Sequence, residues 1–263
     1  MPQCFFTINT VLMSSLLLFV FSCKSNKAKS LQADEDIVIV QRQIEVDGKS
    51  SDWSHIPSVY VGHKNNLWIG EGVPAGEWEG KKDLSYSWKS AWNKNKIYFL
   101  FEVKDDTLSN FDQSYAWMND CIEIYIDPNR KGGQRIAGIG SENSLEDRIG
   151  KNMRGFEMQF LPSNPPKVFM DDSKSVYFTH QDQNSAFKEV WQGNIVVSHT
   201  SDGYTMEIGF SLPDESFKPD YKMGMDVAIC DDDGKGRKNL MIWSGYKGEF
   251  WLTMDNFKGM ILK

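Results

Sequence analysis

Residues 87–106 read SWKSAWNKNKIYFLFEVKDD and residues 119–129 read NDCIEIYIDPN, and together they decide the fold. Residues 97–103 are an apolar and aromatic run of strand length with Glu102 as its one charged residue, closed by Asp105 and Asp106, which is the pattern of a strand buried on both faces. The second stretch alternates instead. Ile122, Ile124 and Ile126 fall on one side of a period of two, and Glu123, Tyr125 and Asp127 fall on the other. A hydrophobic face thus backs onto a face carrying acids, and a functional site is expected on the acidic one.

Similar signals extend outward in both directions. Residues 85–92 read as a strand that turns through the polar residues 93–96 into the apolar run. Upstream, IVIVQRQIEVDGKSSDW (37–53) gives a strand over 37–40, a short second strand over 44–46, and a turn at Asp47-Gly48 leading to Trp53. Residues 62–82 are rich in Gly, Lys and Trp without a period and read as a long loop holding Trp68 and Trp78. Downstream, Phe156, Met158 and Phe160 alternate with Glu157 and Gln159. Residues 194–199 and 204–210 flank Ser201-Asp202-Gly203, a hairpin signal. Residues 225–230, 240–243 and 259–262 complete the set. Many short strands, Gly/Pro/Asn turns and almost no helical period predict an all-β chain, a β-sandwich of antiparallel sheets.

With 263 residues, 40% of them hydrophobic, the chain is long enough to bury a full core. Its formal charge of −7 argues against a nucleic-acid groove, which needs a basic stripe to displace counterions from phosphate. Nine tryptophans divide between core anchors and exposed platforms. Trp53, Trp88, Trp92 and Trp243 sit in or beside apolar strands and are assigned to the core, while Trp68, Trp78 and Trp191 carry no assignment. Cys121 and Cys230 lie in strand-like runs, where a disulfide and a pair of buried thiols are both open.

The N-terminus reads as a targeting segment. Residues 11–21 form an apolar stretch shorter than the roughly 20 residues a spanning helix needs, and they end at Ser22-Cys23 in the manner of a bacterial lipobox. No Lys or Arg precedes the stretch. The expected organisation is a lipoprotein signal peptide over 1–22, a polar tether over 23–36 and a single domain over 37–263, with Cys23 lipidated and the protein anchored to the membrane of the cell envelope, at its periplasmic face or the cell surface.

Taken in order, IEVDGKSSDW (44–53), WKSAWNKNKIYFLFEVKDDTL (88–108), WMNDCIEIYIDPN (117–129), GYTMEIGFSLP (203–213), GMDVAICDDDGKGRKNLMIWSG (224–245) and FWLTMDNFKGMIL (250–262) resemble the family 9 carbohydrate-binding modules. The resemblance implies a sandwich that binds mono- or oligosaccharides between two tryptophans, with acids and amides bonding the hydroxyls and with structural calcium. By position, the clamp is Trp117, six residues before Glu123, and Trp251, while Glu123 contacts sugar hydroxyls. The family's arginine has Arg148 and Arg154 as candidates. Its asparagine three residues before the second tryptophan is replaced here by Gly248, with Glu249 the nearest polar residue. The same resemblance puts calcium ligands at Asp127 and Asp105, drawn from a group that also holds Asp106 and Asp120.

The chemistry suits those residue types. A pyranose offers apolar C–H faces to an aromatic plane, and its hydroxyl edge to carboxylates and amides. The expected function is a non-catalytic carbohydrate-binding lipoprotein acting in glycan utilisation. Three readings compete with it. A glycoside hydrolase needs a carboxylate pair, but Asp120 and Glu123 lie three apart on a strand and project to opposite faces. A haem-binding sandwich would draw on twelve methionines and His180. A ligand-free envelope scaffold is the third. Asp231-Asp232-Asp233-Gly234 lacks the alternation of an EF-hand loop and reads as an acidic hairpin turn, and the four histidines show no zinc spacing.

Overall fold

Strand β1 (Ile37–Gln41) belongs to two sheets at once, and this sets the architecture. Its first half, Ile37 to Ile39, runs parallel to β13 (Lys258–Leu262), and its second half, Val40 and Gln41, runs parallel to β3 (Leu84–Asn93). The remaining strands are β2 (Val59–Val61), β4 (Lys96–Asp105), β5 (Cys121–Asp127), β6 (Phe156–Leu161), β7 (Lys167–Met170), β8 (Phe178–Thr179), β9 (Asn194–Thr200), β10 (Gly203–Ser211), β11 (Lys222–Asp231) and β12 (Asn239–Ile242). Their order is β8-β7-β6-β5-β11-β13-β1-β3-β4-β10-β9, with β12 on β11 and β2 on β3. The structure, a computed structural model, describes residues 36–70, 77–109, 111, 115–128, 130–133, 155–170, 178–179, 193–211 and 217–263.

The sheet curls into a sandwich whose layers meet across one large core. From β5 and β11 come Ile122, Ile124, Ile126, Val227 and Ile229; from β3, β4 and β10 come Trp88, Phe99, Phe101, Met206 and Ile208. The Tyr86 hydroxyl crosses the gap and donates to the Val227 carbonyl at 3.1 Å. Trp88 meets Trp243 edge-on, with centroids 4.9 Å apart. Burying such side chains contributes about 1.5–3 kcal/mol each.

The expected alternation of β5 is present. Its isoleucines enter the main core, while Cys121 and Tyr125 pack on the outer face with Ala228 and Cys230 of β11 and Leu240 and Ile242 of β12. Cys121 and Cys230 are register partners, and both are buried free thiols. The β4 run is buried on both faces as far as Phe101, and beyond it the outer face opens at the exposed Glu102: Ile97, Phe99, Phe101 and Val103 face inward, and Tyr98 and Leu100 join Trp53, Ile44 and Ile56 in an outer cluster. Trp53, Trp88, Trp92 and Trp243 are all core residues.

One strand expectation fails. Residues 44–46 are not a strand but an irregular segment. The β4 ladder they lie over is already paired with β3 and β10 on its two sides, so no edge is open to them. They pack side-on, with Ile44 buried.

Candidate functional site

On the outer face of the β5–β6 pair, Glu123 lies opposite Gln159 and Tyr125 opposite Glu157. These polar residues are buried, and they answer one another. The Tyr125 hydroxyl bridges Glu123 Oε2 at 2.7 Å and Glu157 Oε1 at 3.1 Å, and Gln159 Nε2 donates to the same Glu157 oxygen at 2.5 Å. The alternation in residues 156–160 carries the same signal that singled out Glu123, so Glu157 and Gln159 were within reach of the sequence.

Aromatic side chains from distant loops rise around this polar patch. Trp117 stands on a short 3-10 turn, Ala116–Met118, just before β5. That turn is tied down by Asn119, whose Nδ2 donates to the Tyr115 carbonyl at 2.8 Å. Trp251 comes from the loop between β12 and β13 and packs edge-on against Trp68 at 5.3 Å and Phe250 at 5.2 Å. Trp68, which the sequence left unassigned, is a buried wall whose Nε1 donates to the Gly248 carbonyl at 2.9 Å. A bare backbone stands here, where the resemblance implies asparagine; a Cβ at Gly248 would lie 2.4 Å from the Tyr246 hydroxyl, so that ring would have to move to admit one.

The result is a cavity of about 500 Å³ lined by Trp68, Trp117, Trp251, Phe250, Tyr125, Glu123, Glu157, Gln159, Arg237 and Glu249. Of the residues picked out from sequence, Trp117, Trp251, Glu123 and Glu249 share it. Glu249 is exposed at the rim, while Trp117 and Trp251 are half-buried. Arg148 and Arg154 lie outside the described residues, as do Cys23, His180 and Trp191. The arginine seen in the cavity is Arg237, from the turn between β11 and β12, where only an acidic hairpin was legible. Burial opposes its charge, but Cys230 and Glu123 beside it outweigh this and raise its pKa.

The two proposed metal ligands part company. Asp105 clusters with Asp120 and Asp231, their carboxylate oxygens within 4.8 Å of one another and all three residues buried. Asp127 sits at the far end of β5 from Asp120, and its Oδ2 accepts from Gly132 N at 2.8 Å. The length of the strand separates them: Asp120 and Asp127 are seven positions apart along extended chain, roughly 23 Å at the usual rise per residue. Asp106 joins a second acidic group with Glu79 and Asp83. There the Lys238 ammonium contacts Asp83 at 2.7 Å and Glu79 at 3.8 Å. Asp231 thus does more than turn a hairpin, while Asp232 shapes the turn, its Oδ1 accepting from the amides of Gly234, Lys235 and Gly236, and its own amide donates to Asp120 Oδ1 at 2.7 Å.

Fold and cavity together define an all-β module that presents aromatic planes and carboxylates on the outer face of one sheet. The family described as carbohydrate family 9 binding domain-like matches residues 62–136 and 162–263, and the chain belongs to it. Among curated proteins it is 24% identical over 217 residues to endo-1,4-beta-xylanase A of Thermoanaerobacterium saccharolyticum, and 23% identical over 189 residues to exoglucanase XynX of Acetivibrio thermocellus. These alignments cover 81% and 70% of this chain but 13% of each relative. Among solved structures, a family 9 module from Caldicellulosiruptor kristjanssonii in complex with glucose superposes with a TM-score of 0.62 at 17% identity, covering 87% of this chain and 96% of that one. The module from that organism in complex with cellotriose gives 0.60 at 16%, covering 87% and 94%.

Proposed function

We propose that this chain is a non-catalytic carbohydrate-binding lipoprotein of the cell envelope, holding a mono- or oligosaccharide between Trp117 and Trp251 during glycan utilisation. The observation that carries the reading is that two indoles more than 130 residues apart in sequence line one cavity beside Glu123 and Glu249. The neighbouring modules solved with glucose and cellotriose support it. Planar indoles lose little entropy on binding, and carboxylates accept from hydroxyls, which suits reversible capture. The Asp120–Glu123 pair of a hydrolase is absent, since Asp120 belongs to the acidic cluster and Glu123 to the cavity. Titration calorimetry with glucose, xylose, cellobiose and cellotriose tests the reading. Heat of binding that disappears in Trp117→Ala and Trp251→Ala is expected. Flat traces with every sugar, or release of reducing ends from xylan or cellulose, would overturn it. Anchoring at Cys23 is checked by fractionation, Cys23→Ser moving the protein out of the membrane fraction.

Calcium belongs to the same reading as a structural ion. The donors fit it: Asp105, Asp120 and Asp231 offer hard carboxylate oxygens, and Asp231 Oδ1 is buried without a hydrogen-bond partner. Burial pushes the Asp231 carboxyl up to about 8, and it raises Asp105 and Asp120 as well. A bound cation would neutralise charges that the interior otherwise resists. It would tie the β4 end, the β5 start and the β11–β12 turn together. Calcium at a hundredfold excess over its dissociation constant adds about 2.7 kcal/mol, so EDTA should lower the melting temperature and Asp231→Asn should abolish that response. A melting curve indifferent to EDTA rules the site out.

A further inference from the structure

Cys121 and Cys230 face each other across the β5–β11 ladder as register partners. Both are buried thiols of the outer-face cluster, so their side chains share one side of the sheet. Directly opposed residues of an antiparallel pair have Cα atoms and Cβ atoms about 4.5–5.5 Å apart. A disulfide takes Cα separations of roughly 4.4–6.8 Å and Cβ separations of roughly 3.5–4.5 Å, so a bond between these two sulfurs asks the strands to close by about 1 Å. Within the chain no other pairing competes. The two remaining cysteines, Cys4 and Cys23, lie in the segment read as a signal peptide and at the expected lipid site.

The position of the pair in the fold is as informative as its register. The Cys230 thiol donates to Glu123 Oε1 at 3.5 Å, and Arg237 Nη1 lies 4.0 Å from the same sulfur. Glu123 and Arg237 line the cavity. On the other side, Cys121 and Cys230 are chain neighbours of Asp120 and Asp231 in the acidic cluster. The thiols therefore stand where the cavity floor meets that cluster.

We infer that Cys121 and Cys230 are a disulfide-forming pair that cross-links β5 to β11 beneath the cavity. The inference goes beyond the saccharide reading and is independent of it; the envelope reading supplies only the oxidant, a disulfide carried by a small molecule or by a thiol–disulfide exchange protein. One cysteine attacks that disulfide as a thiolate, forming a mixed disulfide and releasing one thiol; the second cysteine then attacks the mixed disulfide and releases the other thiol. Two protons and two electrons leave the cysteines, one S–S bond forms in the chain, and the S–S bond of the oxidant ends as two thiols. Burial pushes both cysteine thiols up in the folded chain and leaves neither sulfur exposed, so the exchange belongs to the stage before β5 and β11 close, and the finished bond is shielded from reductants. The bond closes a loop of more than 100 residues, long enough to restrain the unfolded chain strongly. It also fixes the spacing between the strand that carries Glu123 and the strand that leads to Arg237.

Peptide mapping tests this on the full chain refolded in a buffer of reduced and oxidised glutathione, and on protein taken from whole cells directly into an alkylating agent. Each sample is alkylated under denaturing conditions, digested and examined by mass spectrometry. A peptide pair joined through Cys121 and Cys230, with neither residue alkylated, is expected in both. Wild type refolded with excess dithiol reductant should melt roughly 10 °C below the glutathione-refolded form, while Cys121→Ala and Cys230→Ala should each melt at one temperature in the two buffers. Full alkylation of both residues after refolding in glutathione overturns the inference, and so does a bond from either one to a second chain in place of this pairing. A bond that forms in the glutathione buffer but not in cells upholds the pairing and counts against the envelope reading. Loss of sugar binding bears on the saccharide reading alone.

Discussion

Each sheet carries a cluster of tryptophan and glutamate on its outer face, and the two differ in whether the chain closes over the cluster or leaves it around open space. On the β4–β10 side Glu207 is completely occupied. Its Oε1 accepts from Trp53 Nε1 at 2.7 Å, and its Oε2 accepts from the amides of Gly48 at 2.7 Å and Asp47 at 3.0 Å. Trp53 is fully buried there. On the β5–β6 side Glu123, Glu157 and Glu249 surround a cavity of about 500 Å³, with Trp117 and Trp251 half-buried and a guanidinium laid on an indole. The residue types are alike. In the first cluster the chain closes over itself and the carboxylate stabilises a loop; in the second the indoles stand apart around open space, and the chemistry is left for a ligand. Half-buried indoles and carboxylates gathered around open space are what mark the second cluster as the candidate site.

The comparison breaks most sharply at Glu207. Glu207→Ala leaves the buried Trp53 Nε1 donor without an acceptor, at about 1–3 kcal/mol, and breaks two bonds from the amides of the exposed residues Asp47 and Gly48, at about 0.5–1.5 kcal/mol each, so the expected loss of stability is roughly 3–4 kcal/mol. Sugar affinity should not change. Chemical denaturation and calorimetry on the same variant read the two quantities, and a variant that loses affinity while keeping its stability would merge the clusters and refute the division.

Trp117 gives the converse, with a somewhat smaller effect. Truncating an aromatic anchor of a binding site costs about 2–3 kcal/mol of affinity. Its half-buried ring stands on a turn outside the main core, so Trp117→Ala should shift stability by less than about 1 kcal/mol. Denaturation midpoints alongside the binding isotherm decide it. A large fall in midpoint would make Trp117 a structural residue like Trp53.

How far the sequence discloses this contrast depends on what each signal records. The period of two in residues 121–127 separates core from acidic face because side-chain direction is a local property of a strand, and the structure keeps that separation. The partition of Trp53, Trp88, Trp92 and Trp243 into the core follows from their apolar neighbours for the same reason. Local pattern has no access to what loops bring together. Trp68 lies in a segment without a period, yet an isolated bridge from Leu67 to Met241 and the Trp68 Nε1 bond to Gly248 set it against Trp251. Arg237 sits in a run of glycines and charges that looks like any exposed turn. The short apolar segment at 44–46 has strand composition, but whether it pairs depends on a free sheet edge, which composition does not record. Asp105 and Asp127 are alike in sequence as acids at strand ends, and it is their opposite positions along β5 and its neighbours that separate them.

Asp226 falls between the two clusters, and its pH response sharpens the comparison with the smallest effect. It lies opposite Tyr125 in register. One of its oxygens is answered, Oδ1 accepting from Val227 N at 2.9 Å and Ser244 N at 3.0 Å, while Oδ2 is buried with no partner. Burial is the dominant cause that raises its carboxyl from 3.8 to about 6. The folded chain therefore holds this proton more tightly than the unfolded chain does. Its stabilising contribution is fully present below the unfolded value of 3.8 and is lost as pH rises through about 6. Between pH 5 and pH 8 that loss comes to about 1–2 kcal/mol. Asp226→Asn removes the titration and keeps an oxygen for Val227 and Ser244, so its denaturation midpoint should decline less steeply than the wild type's over that interval. Calcium is held constant in both series so that the acidic cluster contributes equally. Parallel pH profiles would mean that water or another group answers Oδ2, placing Asp226 with Glu207 among the satisfied carboxylates.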